Sequence, residues 1–296
     1  MKTVRTVAEV RAALTEPRRA GQSIGLVPTM GAFHDGHLSL IRRAREQCEV
    51  VVVWLFVNPA QFNDSGDLEV YPRDEQRDAG LARELGVDYL FAPSVSEVYP
   101  DGFTTAVSVA GLTERLEGEH RGRAHFEGVT TVVAKMFNMV GPDVAYFGQK
   151  DAQQAAVVRR MVRDLDMPVR IELCPTVRAD DGLALSSRNV LLSPDDRRRA
   201  TALHRALEAV KRAVTAGERD PGRAVATGAA ELAVDGIQPD YLELVSPETM
   251  APVGAIADDV LVVVAARIGE TRLIDNTMVH VLSAASAAGD LTSGRT

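Results

Sequence analysis

Two histidines three residues apart, His34 and His37, stand in the segment Pro28-Thr29-Met30-Gly31-Ala32-Phe33-His34-Asp35-Gly36-His37. The apolar run Ile24 to Pro28 precedes this segment and an amphipathic stretch follows it, so a strand ends and a helix begins there. Such a junction offers free backbone N–H groups and the positive end of a helix dipole, both suited to phosphate. Two imidazoles at this spacing can face the same way at a helix start. As donors they would stabilise negative charge growing on a polyphosphate leaving group. Gly36 between them would let a ligand approach the backbone closely. The plain alternative is a pair of surface histidines in a polar turn. Zinc is a further alternative, but no third ligand stands at zinc-like spacing, and Cys48 and Cys174 are single and far apart.

Three more clusters have comparable potential. Phe147-Gly148-Gln149-Lys150-Asp151 again follows a strand-like run and precedes a helical one, and the Lys150 ammonium suits a phosphate as a point charge. Its plain reading is a solvated lysine paired with Asp151. Leu185-Ser186-Ser187-Arg188-Asn189 follows a glycine-containing segment where a domain boundary is expected, and its hydroxyls and guanidinium could close over phosphates or simply form a polar linker. Asn58-Pro59-Ala60-Gln61-Phe62 ends the most apolar strand, where an amide can orient a small polar substrate by donating and accepting at once. Gln153 or Gln154, in the first turn of the helix behind Lys150, could face Gln61. Two weaker features remain: Tyr71-Pro72-Arg73-Asp74 with Asp78, either a substrate or magnesium flank or a helix cap, and the charged stretch Glu117 to Phe126, read as a loop.

The elements that must carry these groups alternate. Thr6-Val7-Ala8-Glu9 reads as a capping box opening a short helix that Pro17 and Gly21 end. Strand-like runs fall at Ile24 to Pro28, Val51 to Val57, Val87 to Phe91, Val144 to Phe147 and Val169 to Cys174. Helical patterns between them cover Leu38 to Ala44, Asp74 to Leu85, Val129 to Met139 and Gln153 to Leu165. Strands separated by helices of this length indicate crossovers and a parallel sheet, so residues 1–175 are expected to form a Rossmann-like α/β domain. The first, second and fourth clusters would then share the carboxyl edge of one sheet. After Pro175 two helical runs, Pro194 to Ala216 and Gly222 to Val234, precede strands at Tyr241 to Val245, Val260 to Ala266 and Asn276 to Leu282. That order indicates a smaller α+β domain over residues 176–283, followed by a frayed tail at 284–296.

Composition narrows the class of function. A chain of 296 residues with 46% hydrophobic and 25% charged residues is neither disordered, collagen-like nor a disulfide scaffold. A net charge of −8 argues against a general nucleic-acid binder. The first residues have no apolar core of signal-peptide length, and the longest apolar run, Val50 to Val57, is too short to cross a bilayer. The expected setting is the cytoplasm, with no membrane partner.

The blocks PTMGAFHDGH, FVNPAQF, YPRD, HFEGVTTVVAKMFN, FGQKDAQQ and DGLALSSRN, in this order, resemble the pantothenate synthetase (pantoate–β-alanine ligase) family over nearly the whole chain up to about His280. The resemblance implies an ATP-dependent amide ligase with magnesium, whose nucleotide-binding domain is related to the nucleotidylyltransferases. In that family the pantoate carboxylate attacks the α-phosphate of ATP to give pantoyl adenylate and pyrophosphate. The amine of β-alanine then releases AMP and pantothenate. By matching motif, Met30, Gly31, Ala32, Phe33, His34, Asp35, Gly36 and His37 would contact ATP, with His37 the assigned proton donor or, with His34, a stabiliser of phosphate charge. Gly148, Gln149, Lys150, Asp151 and the backbone near Val177 would also bind ATP. Leu185, Ser186, Ser187 and Arg188 would hold the phosphates, and Lys150 and Arg188 would stabilise the transition state. Gln61 would contact pantoate and β-alanine, and Gln154 would hold pantoate. A homodimer is also implied. Ala152, Ala60 and the stretch Arg121-Gly122-Arg123-Ala124-His125 depart from the family pattern, leaving open whether Arg121 or Arg123 is the family arginine. A nucleotidylyltransferase retaining the nucleotide in its product and a catalytically silent nucleotide-binding protein are the rival readings.

Overall fold

A computed structural model of the chain describes residues 1–62 and 65–281; the expected tail at 284–296 lies outside them. Two compact units are present, one of residues 1–178 and 185–187, the other of residues 179–184 and 188 onward.

The first unit is built on a six-stranded sheet of β1 (Lys2–Val4), β2 (Ile24–Thr29), β3 (Val50–Leu55), β4 (Tyr89–Phe91), β5 (Val144–Gly148) and β6 (Arg170–Cys174). All neighbouring strands run parallel, in the order β1-β4-β3-β2-β5-β6. The reason lies in the central strand. Val50, Val52 and Trp54 pack into a cluster with Val133, Met136 and Phe137 of the helix Arg123–Val140, whereas Val51 and Val53 pack with Ile41 and Ala44 of the helix Asp35–Gln47. Alternate residues therefore enter different helical layers, and only a strand buried on both faces tolerates so continuous an apolar run. From β2 the chain steps outward through β3 and β4, then returns to the other side of β2 for β5 and β6. The order reverses between β2 and β5, and in open α/β sheets ligands bind in the crevice at the carboxyl ends of the strands at this point.

Several local expectations change. β1 was not anticipated from sequence, being only Lys2–Val4 on the edge beside β4. β3 stops at Leu55 instead of Val57, because Asn58 accepts from the Ala60 N–H at 3.3 Å and Pro59 starts a 3-10 turn, Pro59–Gln61. The charged stretch Glu117 to Phe126 is not a loop. It holds the helix Glu117–Arg121 and the beginning of Arg123–Val140, separated at Gly122 with φ 79°. Its charges conceal burial: Glu117 is 6% exposed and its carboxylate accepts from Arg121 Nε at 2.8 Å, one helical turn on.

In the second unit the helices Pro194–Arg199, Ala202–Thr215 and Pro221–Val234 accompany a three-stranded antiparallel sheet, β7 (Pro239–Val245), β8 (Val260–Ile268) and β9 (Thr271–Val279). The single helix expected from Pro194 to Ala216 divides because the Thr201 hydroxyl donates to the Arg198 carbonyl at 2.8 Å, tightening the last turn. β9 begins at Thr271 instead of Asn276. Arg272 and Asp275 break the apolar pattern there, but Arg272 donates to Asp240 of β7 at 2.6 Å. Among the described residues no helix is long and apolar enough to cross a membrane.

Ile41 carries the contact between the helix Asp35–Gln47 and the sheet and is fully buried. Ile41→Ala is expected to lower unfolding stability by about 2–5 kcal/mol in chemical denaturation. A loss below about 1 kcal/mol would contradict that packing role.

Candidate active site

The turn after β2 is a constrained piece of backbone. Gly31 has φ 91° and Ala32 φ 54°, so two successive residues adopt left-handed backbone. Glycine tolerates this and alanine does not without support. That support comes from Asp78 in the helix Glu75–Glu84: Ala32 N donates to its Oδ2 at 2.8 Å and Phe33 N to its Oδ1 at 2.9 Å. Arg77 Nη1 donates to the Phe33 carbonyl at 3.0 Å. Burial pushes the Asp78 carboxyl above its usual range, and the two amide hydrogen bonds pull it back. Asp74, not Asp78, caps the helix by accepting from Arg77 N at 3.0 Å.

The two histidines follow directly. His34 is the N-cap of the helix Asp35–Gln47, and its Nδ1 accepts from Gly36 N at 3.1 Å. His37 Nδ1 accepts from His34 N at 3.4 Å. This is a capping box built from imidazoles. With Nδ1 occupied as an acceptor, each neutral ring carries its proton on Nε2. The ring centroids lie 4.1 Å apart, and Phe33 packs 5.6 Å from His37. Burial first, then His34 and Lys150, lower the His37 pKa to about 3; burial first, then Lys150, lower that of His34. Both are neutral at neutral pH. Gly36 also makes room for the His34 ring: a Cβ there would come within 2.8 Å of His34 Cε1.

The expectation of free backbone donors at this junction is not met for most of them. The N–H groups of Gly31, Ala32, Phe33, His34 and Gly36 bond to Thr29 Oγ1, Asp78, Asp78, His37 and His34 respectively.

Lys150 lies in the 3-10 turn Gln149–Asp151 after β5, across the crevice from β2. It is close enough to bias both histidines electrostatically, and it approaches Asp151 Oδ1 only at 3.9 Å. Its side chain is 19% exposed.

Gln61 joins the same region. Its Nε2 donates to Met30 Sδ at 3.0 Å, its Oε1 accepts from Asn58 Nδ2 at 3.1 Å, and its carbonyl accepts from His125 Nδ1 at 2.7 Å. Asn58, 1% exposed, is held in turn by the Tyr99 hydroxyl at 2.8 Å and by the Gly128 carbonyl. Of the two amides proposed to face Gln61, Gln153 is consumed internally, bonding Leu112 O, Arg115 O and Glu117 N at 2.7–3.0 Å. Half-buried Gln154 remains. In the third cluster, Leu185 N bonds the Val177 carbonyl at 2.9 Å and the Ser187 hydroxyl lies 3.4 Å from that of Tyr71, all within the first unit. Arg188 falls in the second unit. Arg121 bonds Glu117, and Arg123 reaches Ser108 Oγ at 3.3 Å.

Sequence reasoning did not single out Tyr99 as a site residue, and it left His125 in a charged loop. His125 opens the block HFEGVTTVVAKMFN that carries the family resemblance, but its residue type gave no partner; Tyr99 gave no signal. A cavity of about 370 Å³ opens on the carboxyl edge beside this group, lined by Met30, Gly31, Leu55, Val57, Pro59 and Ala92 among others and not by the histidines.

A wholly parallel sheet with paired histidines and a lysine on either side of its switch point defines a Rossmann-like α/β protein of the nucleotide-binding kind. Comparison with known proteins makes this specific. Residues 2–278 match the pantoate–β-alanine ligase family, and the chain belongs to it. It is 49% identical over 294 residues to a pantothenate synthetase of Koribacter versatilis, covering 99% of this chain and all of that one. It is 51% identical to one of Moorella thermoacetica, covering 95% and 99%. Among solved structures, the pantothenate synthetase of Thermus thermophilus superposes with a TM-score of 0.89 at 50% identity, covering 94% and 99%. The Francisella tularensis pantoate–β-alanine ligase, solved as a complex with β-γ ATP and β-alanine, superposes at 0.77 with 32% identity, covering 94% and 97%.

Two tests follow from the geometry. A Cβ on Gly128 would overlap the Ala60 carbonyl and come within 2.9 Å of Gln61 N. Gly128→Ala is expected to cost about 1–3 kcal/mol of stability and to displace Gln61; unchanged unfolding would contradict that close approach. The second concerns pH. The folded pKa of His37 lies near 3, below its ordinary 6.5, so the unfolded chain takes up the proton first as pH falls. Stability is fully present above 6.5 and is lost as pH drops toward 3. His37→Gln is expected to make the urea midpoint less dependent on pH across that window; an identical dependence would contradict the buried, neutral ring.

Proposed function

We propose that this protein condenses (R)-pantoate with β-alanine to pantothenate, splitting ATP to AMP and pyrophosphate through a pantoyl adenylate. The observation that carries this reading is the match of residues 2–278 to the pantoate–β-alanine ligase family. The ATP analogue and β-alanine in the Francisella tularensis complex support the substrate set. The junction of Gln61 with Met30, which ties a substrate amide to the histidine-bearing turn, supports it from geometry.

A carboxylate alone lacks a good leaving group, so the acid must first be activated. A pantoate carboxylate oxygen attacks the α-phosphorus, the bond to the bridging oxygen breaks, and charge accumulates on departing pyrophosphate. His34 and His37, as neutral Nε2–H donors, and Lys150, as a point charge, stabilise that growing charge, a role the family resemblance also assigns to Arg188. A ring that is neutral in the free protein acts here as a hydrogen-bond donor in preference to a proton donor. Gln61 orients pantoate and then β-alanine, and Gln154 holds pantoate. The remaining residues of the turn Met30 to Asp35, with Gly148 to Asp151, Val177 and Leu185 to Ser187, frame the nucleotide. In the second step the amine attacks the acyl carbon and AMP leaves.

Magnesium is read as arriving on the ATP phosphates, which with water can supply most of its oxygen ligands. Among the described residues no group of three or more His, Cys, Asp or Glu side chains is placed to hold an ion. The chain is further proposed to act as a homodimer in the cytoplasm, where its two free, buried thiols stay reduced.

The experiment is a product assay with ATP, magnesium, pantoate and β-alanine, each omitted in turn. Pantothenate and AMP are expected only with all four, and pyrophosphate with pantoate but without β-alanine. A product that keeps the nucleotide would favour a nucleotidylyltransferase instead. His37→Ala is expected to lower turnover on the order of a hundredfold with far less change in ATP affinity; near-normal turnover would remove His37 from the mechanism. Gln61→Ala is expected to weaken pantoate binding and spare ATP, as isothermal titration would report.

A further inference from the structure

We propose that Asp78 is a positioning residue for the adenylation step: its carboxylate, with the neighbouring Arg77, clamps the backbone turn that aims the histidines and Met30. The inference rests on the function proposed above and extends it to two residues that act on the turn through its backbone.

Asp78 is fully buried, and its two oxygens accept from consecutive backbone amides of the turn, at 2.8 Å and 2.9 Å. A left-handed residue in a turn, such as Ala32 with φ 54°, lets consecutive N–H groups converge on one anion. The pair of amides makes a small anion nest, and the protein fills it with its own carboxylate. Arg77 completes the clamp from the exposed side by holding the Phe33 carbonyl at 3.0 Å and lying 3.8 Å from Asp78.

A clamp of this kind is costly for stability alone. Burying the Asp78 carboxylate carries a desolvation cost that a half-exposed arginine 3.8 Å away offsets only in part. What the charge fixes is direction. An asparagine at the same place would offer one acceptor and turn its NH2 toward the second amide, leaving a buried N–H without a partner.

The residues so fixed are those that would handle ATP and pantoate. Phe33 packs on the His37 ring, His34 begins the helix one residue later, and Met30 on the other side of the turn accepts from Gln61. Gly31 lies close against the clamp, since a Cβ there would meet Asp78 Oδ2 and Leu55 Cδ1 at 3.1 Å. Asp78 touches neither histidine directly; it acts through the backbone. A displacement of even an ångström in such a turn misplaces donors that must meet the leaving group.

The test uses the full chain and pantoate-dependent pyrophosphate–ATP exchange, which reads the adenylation step alone. For Asp78→Asn, KM for ATP is expected to rise at least fivefold and kcat to fall at least tenfold, measured per active site by titration with pantoate and ATP. If kcat per active site and KM for ATP both stay at wild-type values, with the loss confined to the number of active sites, the residue is merely structural and the inference fails. Should Asp78→Asn not fold, Arg77→Met decides, since Arg77 is more than half exposed. It is expected to raise KM for ATP two- to fivefold at an unchanged melting temperature, and an unchanged KM would overturn the proposal. Absence of exchange in the unaltered protein would instead remove the proposed ligase function, so the two failures are distinguishable.

Discussion

The backbone must leave a fully buried parallel strand at Thr29 and enter a helix at Asp35, with the turn pressed against the side chains of neighbouring elements. That constraint forces left-handed residues at Gly31 and Ala32 and points successive amides into the protein. Buried amides require partners. Asp78 takes two of them, Thr29 one, and the histidines the next two. The imidazoles are thus part of the hydrogen-bond accounting of a helix start before they touch any ligand.

This accounting sets their chemistry. Each ring spends Nδ1 on the backbone and keeps Nε2–H for whatever enters the crevice. Burial and the nearby lysine keep the rings uncharged, so under the proposed function they would meet a polyphosphate as donors, without proton uptake. Preorganised donors of this sort are effective because little reorganisation is needed when charge develops. The sheet supplies the other half. Because strand order reverses between β2 and β5, the turn after β5 brings Lys150 to the same crevice, although more than a hundred residues separate it from the histidines.

Much of this was readable in the sequence, for identifiable reasons. Continuous apolar runs such as Val50 to Val53 leave little choice but strands covered on both sides, and helical stretches between them imply parallel crossovers. The family resemblance then tied the clusters together. What escaped was decided by tertiary partners. Lys2–Val4 is a strand only because β4 lies beside it. Glu117 looks solvated until Arg121 and Gln153 enclose it. Gln153 and Gln154 are indistinguishable in composition, and only the carbonyls of Leu112 and Arg115 show which is structural. Asp78 gave no sign of meeting the turn, because the contact joins residues 45 and 46 positions apart. That Gly36 also leaves space for the His34 ring was not visible either.

The central claim is that His34 and His37 present themselves to the nucleotide as neutral, Nε2-protonated rings. Nitrogen-15 NMR of the histidine side chains at pH 7, without and with magnesium and a non-hydrolysable ATP analogue, measures this most directly. Both rings are expected to give the Nε2–H tautomer in the free protein, and the analogue is expected to shift the Nε2 resonances far more than those of Nδ1. A His37 already protonated on both nitrogens in the free protein, or carrying its proton on Nδ1, would contradict it.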